Sequence, residues 1–105
     1  MKKKIVITGG LGYIGTELCK LYSGVSWHHE IIVIDNRFFS ERVNQIRNWN
    51  MKFIQGDITN FNLNEKFDVI FVGYNSFLHL LKNEDAEACL SCVKKHLNPN
   101  GRFYI

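Results

Sequence analysis

One proline, three cysteines and no long apolar run are what this 105-residue sequence makes do with. A membrane span requires roughly 20 consecutive apolar residues, and no stretch approaches that. Met1-Lys2-Lys3-Lys4 before Ile5-Val6-Ile7 opens like a signal peptide, but the apolar run stops at Thr8-Gly9-Gly10, too early for a hydrophobic region of that kind. Three cysteines in such a chain point to reduced thiols and a cytoplasmic location, not to a disulfide framework. Charge of one sign is scarce too. Thirteen Lys and Arg against ten Asp and Glu leave a net +3, scattered along the chain, which suits an anionic small ligand and not nucleic acid. Present instead is a 46% hydrophobic composition, enough to bury a core as one domain over residues 1–105. That length leaves no room for a separate substrate domain.

Short β-branched runs alternate with helical patterns, so the expected fold is α/β with a parallel sheet. Lys4–Thr8 reads as a first strand, apolar on both faces as a central parallel strand is. Leu11, Ile14, Leu18 and Leu21 recur at helical spacing, and Ser23-Gly24 stops that helix. Ile31–Asp35 is a second strand. Phe39, Val43 and Ile46 mark a second helix with Ser40 as its cap. Met51–Gln55 and Phe67–Gly73 are strands three and four, joined by a polar connection over 60–66. A helix from Glu84 to Leu97 presents Ala86, Leu90, Val93 and Leu97 as its buried stripe. Glu84, Asp85 and Glu87 near its start and Lys94, Lys95 and His96 near its end complement the helix dipole. Asn98-Pro99-Asn100-Gly101 reads as a turn into a fifth strand from Arg102. No internal repeat or interdomain linker interrupts this order.

The sharpest motif is Gly9-x-x-Gly12-x-x-Gly15, set between the first strand and the first helix. Gly9 permits a tight exit from the strand, Gly12 lets a ligand approach the backbone, and Gly15 lets the helix pack close to the sheet. The helix N-terminus then offers free N–H groups to an anion. Asp35 ends the second strand 20 residues after Gly15, where a carboxylate accepts both hydroxyls of an adenosine ribose and repels a 2′-phosphate. Arg37 nearby leaves a weaker route to that phosphate.

Over roughly Lys4 to Asp57 these motifs, with Ile34-Asp35-Asn36 and Gly56-Asp57-Ile58, resemble the extended short-chain dehydrogenases/reductases, the NAD-dependent epimerases and dehydratases. The resemblance implies a doubly wound sheet in strand order 3-2-1-4-5 and NAD at the C-terminal edges of strands one to three. It places the backbone of Tyr13 and Ile14 on the pyrophosphate, Asp35 and Asn36 on the ribose, and Asp57 and Ile58 at adenine. The second half departs from that pattern. Phe67-Asp68-Val69-Ile70, Asn75-Ser76-x-Leu78-His79-Leu80 and Leu97-x-Pro99-x-Gly101-Arg102 resemble class I S-adenosylmethionine-dependent methyltransferases. The first half lacks the acid those enzymes carry before their glycines; Ile7-Thr8 stands there. Two resemblances in one chain imply a chimera joined between residues 56 and 67, and a chain ending as strand five forms agrees with a cut and rejoined core.

The dehydrogenase family's catalytic Tyr-x-x-x-Lys is missing: Ser26 stands where Tyr22 would need its lysine, and Leu78 where Tyr74 would. The expected function is therefore NAD binding without catalytic residues. The alternatives are an S-adenosylmethionine-binding methyltransferase-type domain, or a folded core with no tight ligand. Gly73, the last residue of strand four, is a further cofactor-binding candidate, and Tyr74-Asn75-Ser76 lie beyond that strand's C-terminal end, facing the ligand crevice. Cys89-x-x-Cys92-x-x-x-His96 shares one side of a helix, but zinc lacks a fourth ligand there and a mid-helix pair gains little from the dipole, so core cysteines are expected and no metal. Trp27-His28-His29 reads as a packing cluster at the other end of the sheet. The fifth strand leaves a sheet edge, so the chain is expected as a monomer or an edge-paired homodimer.

Overall fold

A computed structural model of the chain describes residues 3–9, 13–24, 28–58, 60–72 and 83–104. In order come β1 (Lys4–Thr8), α1 (Tyr13–Ser23), β2 (Glu30–Asp35), α2 (Ser40–Asn48), β3 (Lys52–Gln55), β4 (Phe67–Val72), α3 (Asn83–His96) and β5 (Leu97–Tyr104). The strands form one sheet in the order β3-β2-β1-β4-β5, and every pairing is parallel. This is the expected three-layer Rossmann-like α/β fold.

Side chains alternate across the sheet because successive strand residues point to opposite faces. Ile5, Ile7, Ile31 and Val33 pack on one side with Cys19 of α1, Val43 and Ile46 of α2, and Met51. Val6, Ile32, Ile34, Ile70 and Val72 pack on the other with Phe67 and with Cys89, Cys92 and Val93 of α3. Each fully buried Ile or Phe contributes about 1.5–3 kcal/mol of transfer free energy, so the two central strands carry much of the stability.

Both long helices turn a different face to the sheet than the apolar spacing suggests. On α1, Gly15 and Cys19 are buried and Leu18 and Tyr22 half-buried, while Leu21 is 78% exposed. Glycine supplies the point of close approach, which turns the leucine outward. On α3 the inward residues are Cys89, Cys92, Val93 and His96, and Leu90 faces solvent. The cause is the connection over 60–66, which occupies the layer where a doubly wound fold often places a helix. Phe61 lies buried beside α3, its ring 4.6 Å from the His96 ring. The Phe61 amide donates to Cys92 Sγ at 3.3 Å, and the same thiol donates back to the Phe61 carbonyl at 3.0 Å. The Leu63 amide donates to His96 Nε2 at 3.1 Å, which leaves Nδ1 to donate to the Cys92 carbonyl at 2.7 Å. Small polar side chains on the inner face of α3 thus satisfy a connection that has no ladder of its own.

Two further details differ from the sequence expectations. Ser40 is the first helical residue of α2 and not its cap; Phe39 stands at the cap position with no side-chain hydrogen bond. The expected turn at 98–101 lies inside β5. Phe67 pairs with Leu97 and Val69 with Arg102, so the strand bulges between them. A Cβ on Gly101 would lie 3.0 Å from the Asn98 carbonyl oxygen and 3.1 Å from that of Phe67, so a side chain there would crowd both carbonyls of this bulge. Asp68 pins the same end of the sheet. Its carboxylate accepts the Lys4 amide at 2.9 Å and the Asn98 side-chain amide at 3.0 Å, which holds its pKa below the ordinary value.

Candidate functional site

Parallel order puts the C-terminal ends of β1, β2 and β3 side by side, and backbone contacts lock them together. Gly9 leaves β1 with φ 67°, a left-handed conformation glycine adopts freely, and its amide donates to the Ile34 carbonyl at 2.7 Å. The buried Thr8 hydroxyl donates to the Phe71 carbonyl at 3.0 Å, which ties the same exit to β4. The Gly56 amide donates to the Asp35 carbonyl at 2.9 Å, and the Gln55 side-chain amide to the Asn36 carbonyl at 3.1 Å. The rim is thus held by the protein's own backbone and side-chain contacts.

Asp35 sits at the middle of this rim. Its side chain is only 2% exposed and accepts three hydrogen bonds from Arg37: the backbone amide at 3.0 Å and Nε at 3.1 Å to Oδ1, and Nη2 at 3.0 Å to Oδ2. This hydrogen-bonded pairing raises the pKa of the guanidinium. Asn36 is exposed beside Asp35; Asp57 is exposed and Ile58 half-buried just past Gly56. The Asp57 carbonyl accepts the Asn60 amide at 3.1 Å, and Ile58 packs on the cluster that contains Phe61. Gly15 is buried within α1, and Tyr13 and Ile14 form the helix's first turn. Gly9, Asp35, Asn36, Asp57 and Ile58 therefore come to one end of the sheet. Gly12, Gly73 and Tyr74-Asn75-Ser76 lie outside the described residues. Sequence reasoning missed the roles of Thr8 and Gln55 as rim ties, and of Arg37 as the bidentate partner of Asp35. An arginine two residues after the acid was a usable signal, since that spacing lets one turn bring them together.

The thiols are not part of this site. Burial pushes Cys19 up to about 12, and burial, with the negative charge of Asp57 adding, pushes Cys89 up to about 11; both stay protonated. No group of three or more metal-ligating side chains occurs among the described residues. A cleft of about 730 Å³ lies at the β2–β3 edge, lined in part by His29, Glu30, Arg47 and Lys52 near the strands' N-terminal ends. No helix among the described residues is long and apolar enough to cross a membrane.

Comparison with known proteins corrects the expected cofactor. A family model described as "Methyltransferase domain" matches residues 7–101. Similar solved structures include the glycopeptide N-methyltransferase MtfA in complex with S-adenosyl-L-methionine, at TM-score 0.72 and 18% identity, over 98% of this chain and 46% of that one. An S-adenosylmethionine-dependent methyltransferase from Clostridium acetobutylicum matches at TM-score 0.72 and 22% identity, over 98% and 42%. The N-methyltransferase NodS from Bradyrhizobium japonicum matches at 0.73 and 17%, over 97% and 56%. This chain spans roughly half the length of each, and at these identities they establish the fold. The family match overturns NAD as the cofactor. The glycine spacing and Asp35 had pointed to an adenosine ribose, which NAD and S-adenosylmethionine share, and the spacing alone does not say what is attached to it. The match also runs unbroken through residues 56–67, and nothing in these likenesses supports a dehydrogenase-type first half or a junction there. From Ile7 to Gly101 one pattern accounts for the sequence, and the chain belongs to the methyltransferase-domain family.

Proposed function

We propose that this chain is the S-adenosylmethionine-binding core of a methyltransferase. The observation that carries the reading is the Asp35 carboxylate at the C-terminal end of β2, one strand away from the glycine exit of β1. An adenosyl ribose presents two adjacent hydroxyls, and a carboxylate accepts both. Asn36 flanks that ribose. Asp57 and Ile58 flank the adenine, with Asp57 accepting from its exocyclic amine and Ile58 supplying apolar contact. Gly9 at the exit of β1 admits the amino-acid portion close to the backbone, and its α-carboxylate is the kind of anion a helix N-terminus receives. Tyr13 and Ile14 supply that terminus through their backbone.

The residues present fit this group: an acceptor for the diol, a glycine exit for the amino acid and a helix start for its carboxylate. When bound, the cofactor's sulfonium supplies an already activated methyl group. The chain's own task is to hold and orient, since rate gained from alignment needs no acid or base from these strands. Absence of Tyr-x-x-x-Lys therefore does not count against methyl transfer. The match of the family across both halves favours this reading over a folded core without a ligand.

Calorimetric titration with S-adenosylhomocysteine, the product form, tests the reading. The wild-type chain is expected to bind, and Asp35→Ala to weaken binding at least tenfold, because two charge-assisted hydrogen bonds are lost. Equal affinity in the variant would place the ribose elsewhere.

A further inference from the structure

The carboxylate proposed to hold the ribose is already engaged by a neighbour. Arg37 meets both Asp35 oxygens with the Nε and Nη2 edge of its guanidinium, and its backbone amide adds a third donor. The pair is asymmetric: the Asp35 side chain is 2% exposed and that of Arg37 is 49% exposed. The acid is fixed in the rim, and the arginine is the partner with freedom to leave. A landing place lies beside it. Arg37 Cζ is 6.0 Å from the centroid of the Phe39 ring, and Phe39 is itself 49% exposed. A guanidinium released from Asp35 keeps an aromatic face within reach.

We propose that Arg37 is a displaceable arm that occupies the ribose position on Asp35 and must leave it before an adenosyl ligand binds. This rests on the reading of Asp35 as the ribose acceptor. A carboxylate has about four acceptor directions, and a side-on guanidinium fills the same edge that two neighbouring hydroxyls would use. A ribose with both hydroxyls replaces both side-chain hydrogen bonds of the fork. The arm therefore lowers affinity for every adenosyl ligand by the same factor. Its effect is that of a competing internal ligand, so apparent affinity is the intrinsic affinity multiplied by the fraction of molecules in which the arm is undocked.

The test is a calorimetric cycle with S-adenosylhomocysteine on wild type, Arg37→Met, Asp35→Asn and the double variant. Methionine keeps much of the apolar stem and cannot form the fork. Arg37→Met is expected to bind about tenfold tighter than wild type, and the gain is expected to vanish in the Asp35→Asn background. Arg37→Lys, which keeps the charge as a point without the fork, is expected to fall between wild type and Arg37→Met, and it serves alone should Arg37→Met not fold. Equal or weaker binding by these Arg37 variants, with wild-type binding intact, would overturn the arm and leave the cofactor reading standing. Absence of binding in all the proteins would overturn the cofactor reading, and the arm with it.

Discussion

Cys92 shows how a residue's chemistry is decided by what sits opposite it. In sequence, Cys89-x-x-Cys92-x-x-x-His96 has the residue types of a metal or redox site. In the fold, the Cys92 thiol both accepts from and donates to the Phe61 backbone, and His96 accepts the Leu63 amide with Nε2 while Nδ1 donates to the Cys92 carbonyl. Cys92→Ala is expected to cost about 1–3 kcal/mol by leaving two buried backbone groups unpaired, and Cys92→Ser to recover part of that. Urea unfolding reads this as a lowered midpoint at constant slope. An alanine midpoint equal to wild type would mean the connection is held by apolar packing alone. Asp35 was legible at this scale because strand end, acid and glycine spacing coincide in the sequence. Arg37's docking on it was signalled by the two-residue spacing, which one turn brings together, but the arginine was read only as a route to a 2′-phosphate.

At the scale of elements, strands were easier to read than helix faces. β1 and β2 are continuous β-branched runs buried on both sides, which no helix period imitates. The helix faces were read in part: the apolar stripe put Leu21 and Leu90 inward where they face out and did not include Cys19, whereas Gly15, Cys89 and Cys92 face in as expected. Small residues mark close approach, and close approach depends on the partner element, which a single-segment pattern does not contain. The turn read at 98–101 failed for a related reason: the segment bulges while still paired to β4. Gly101→Ala is expected to destabilise the fold by about 1–3 kcal/mol, since two backbone carbonyls border the added methyl and neither is free to swing away. Thermal unfolding checks it, and an unchanged midpoint would show that the bulge relaxes at little cost.

For the whole molecule, the sheet is pinned at one end, and the proposed ligand site lies at the other. Asp68 ties β1 and β5 to β4 at the N-terminal end, and its depressed pKa carries a sign. The stabilisation is complete above the ordinary carboxyl value of 3.8 and is lost as pH falls through the lowered folded-state value. The stability gap between wild type and Asp68→Asn is therefore expected to be full at neutral pH and to close in acid, as followed by denaturant titrations across pH; a gap that does not narrow would assign the effect to packing. Strand order was readable from the sequence. The cofactor was not, because the motif reports the adenosine portion and two cofactor classes share it. The most direct test of the central claim is a two-dimensional amide NMR titration with S-adenosylhomocysteine. Shifts are expected at Gly9, Asn36 and Gly56 to Ile58, with Lys4, Asp68 and the cleft residues His29 and Lys52 unmoved. Saturating ligand without those shifts, or with shifts confined to the opposite end of the sheet, would contradict it.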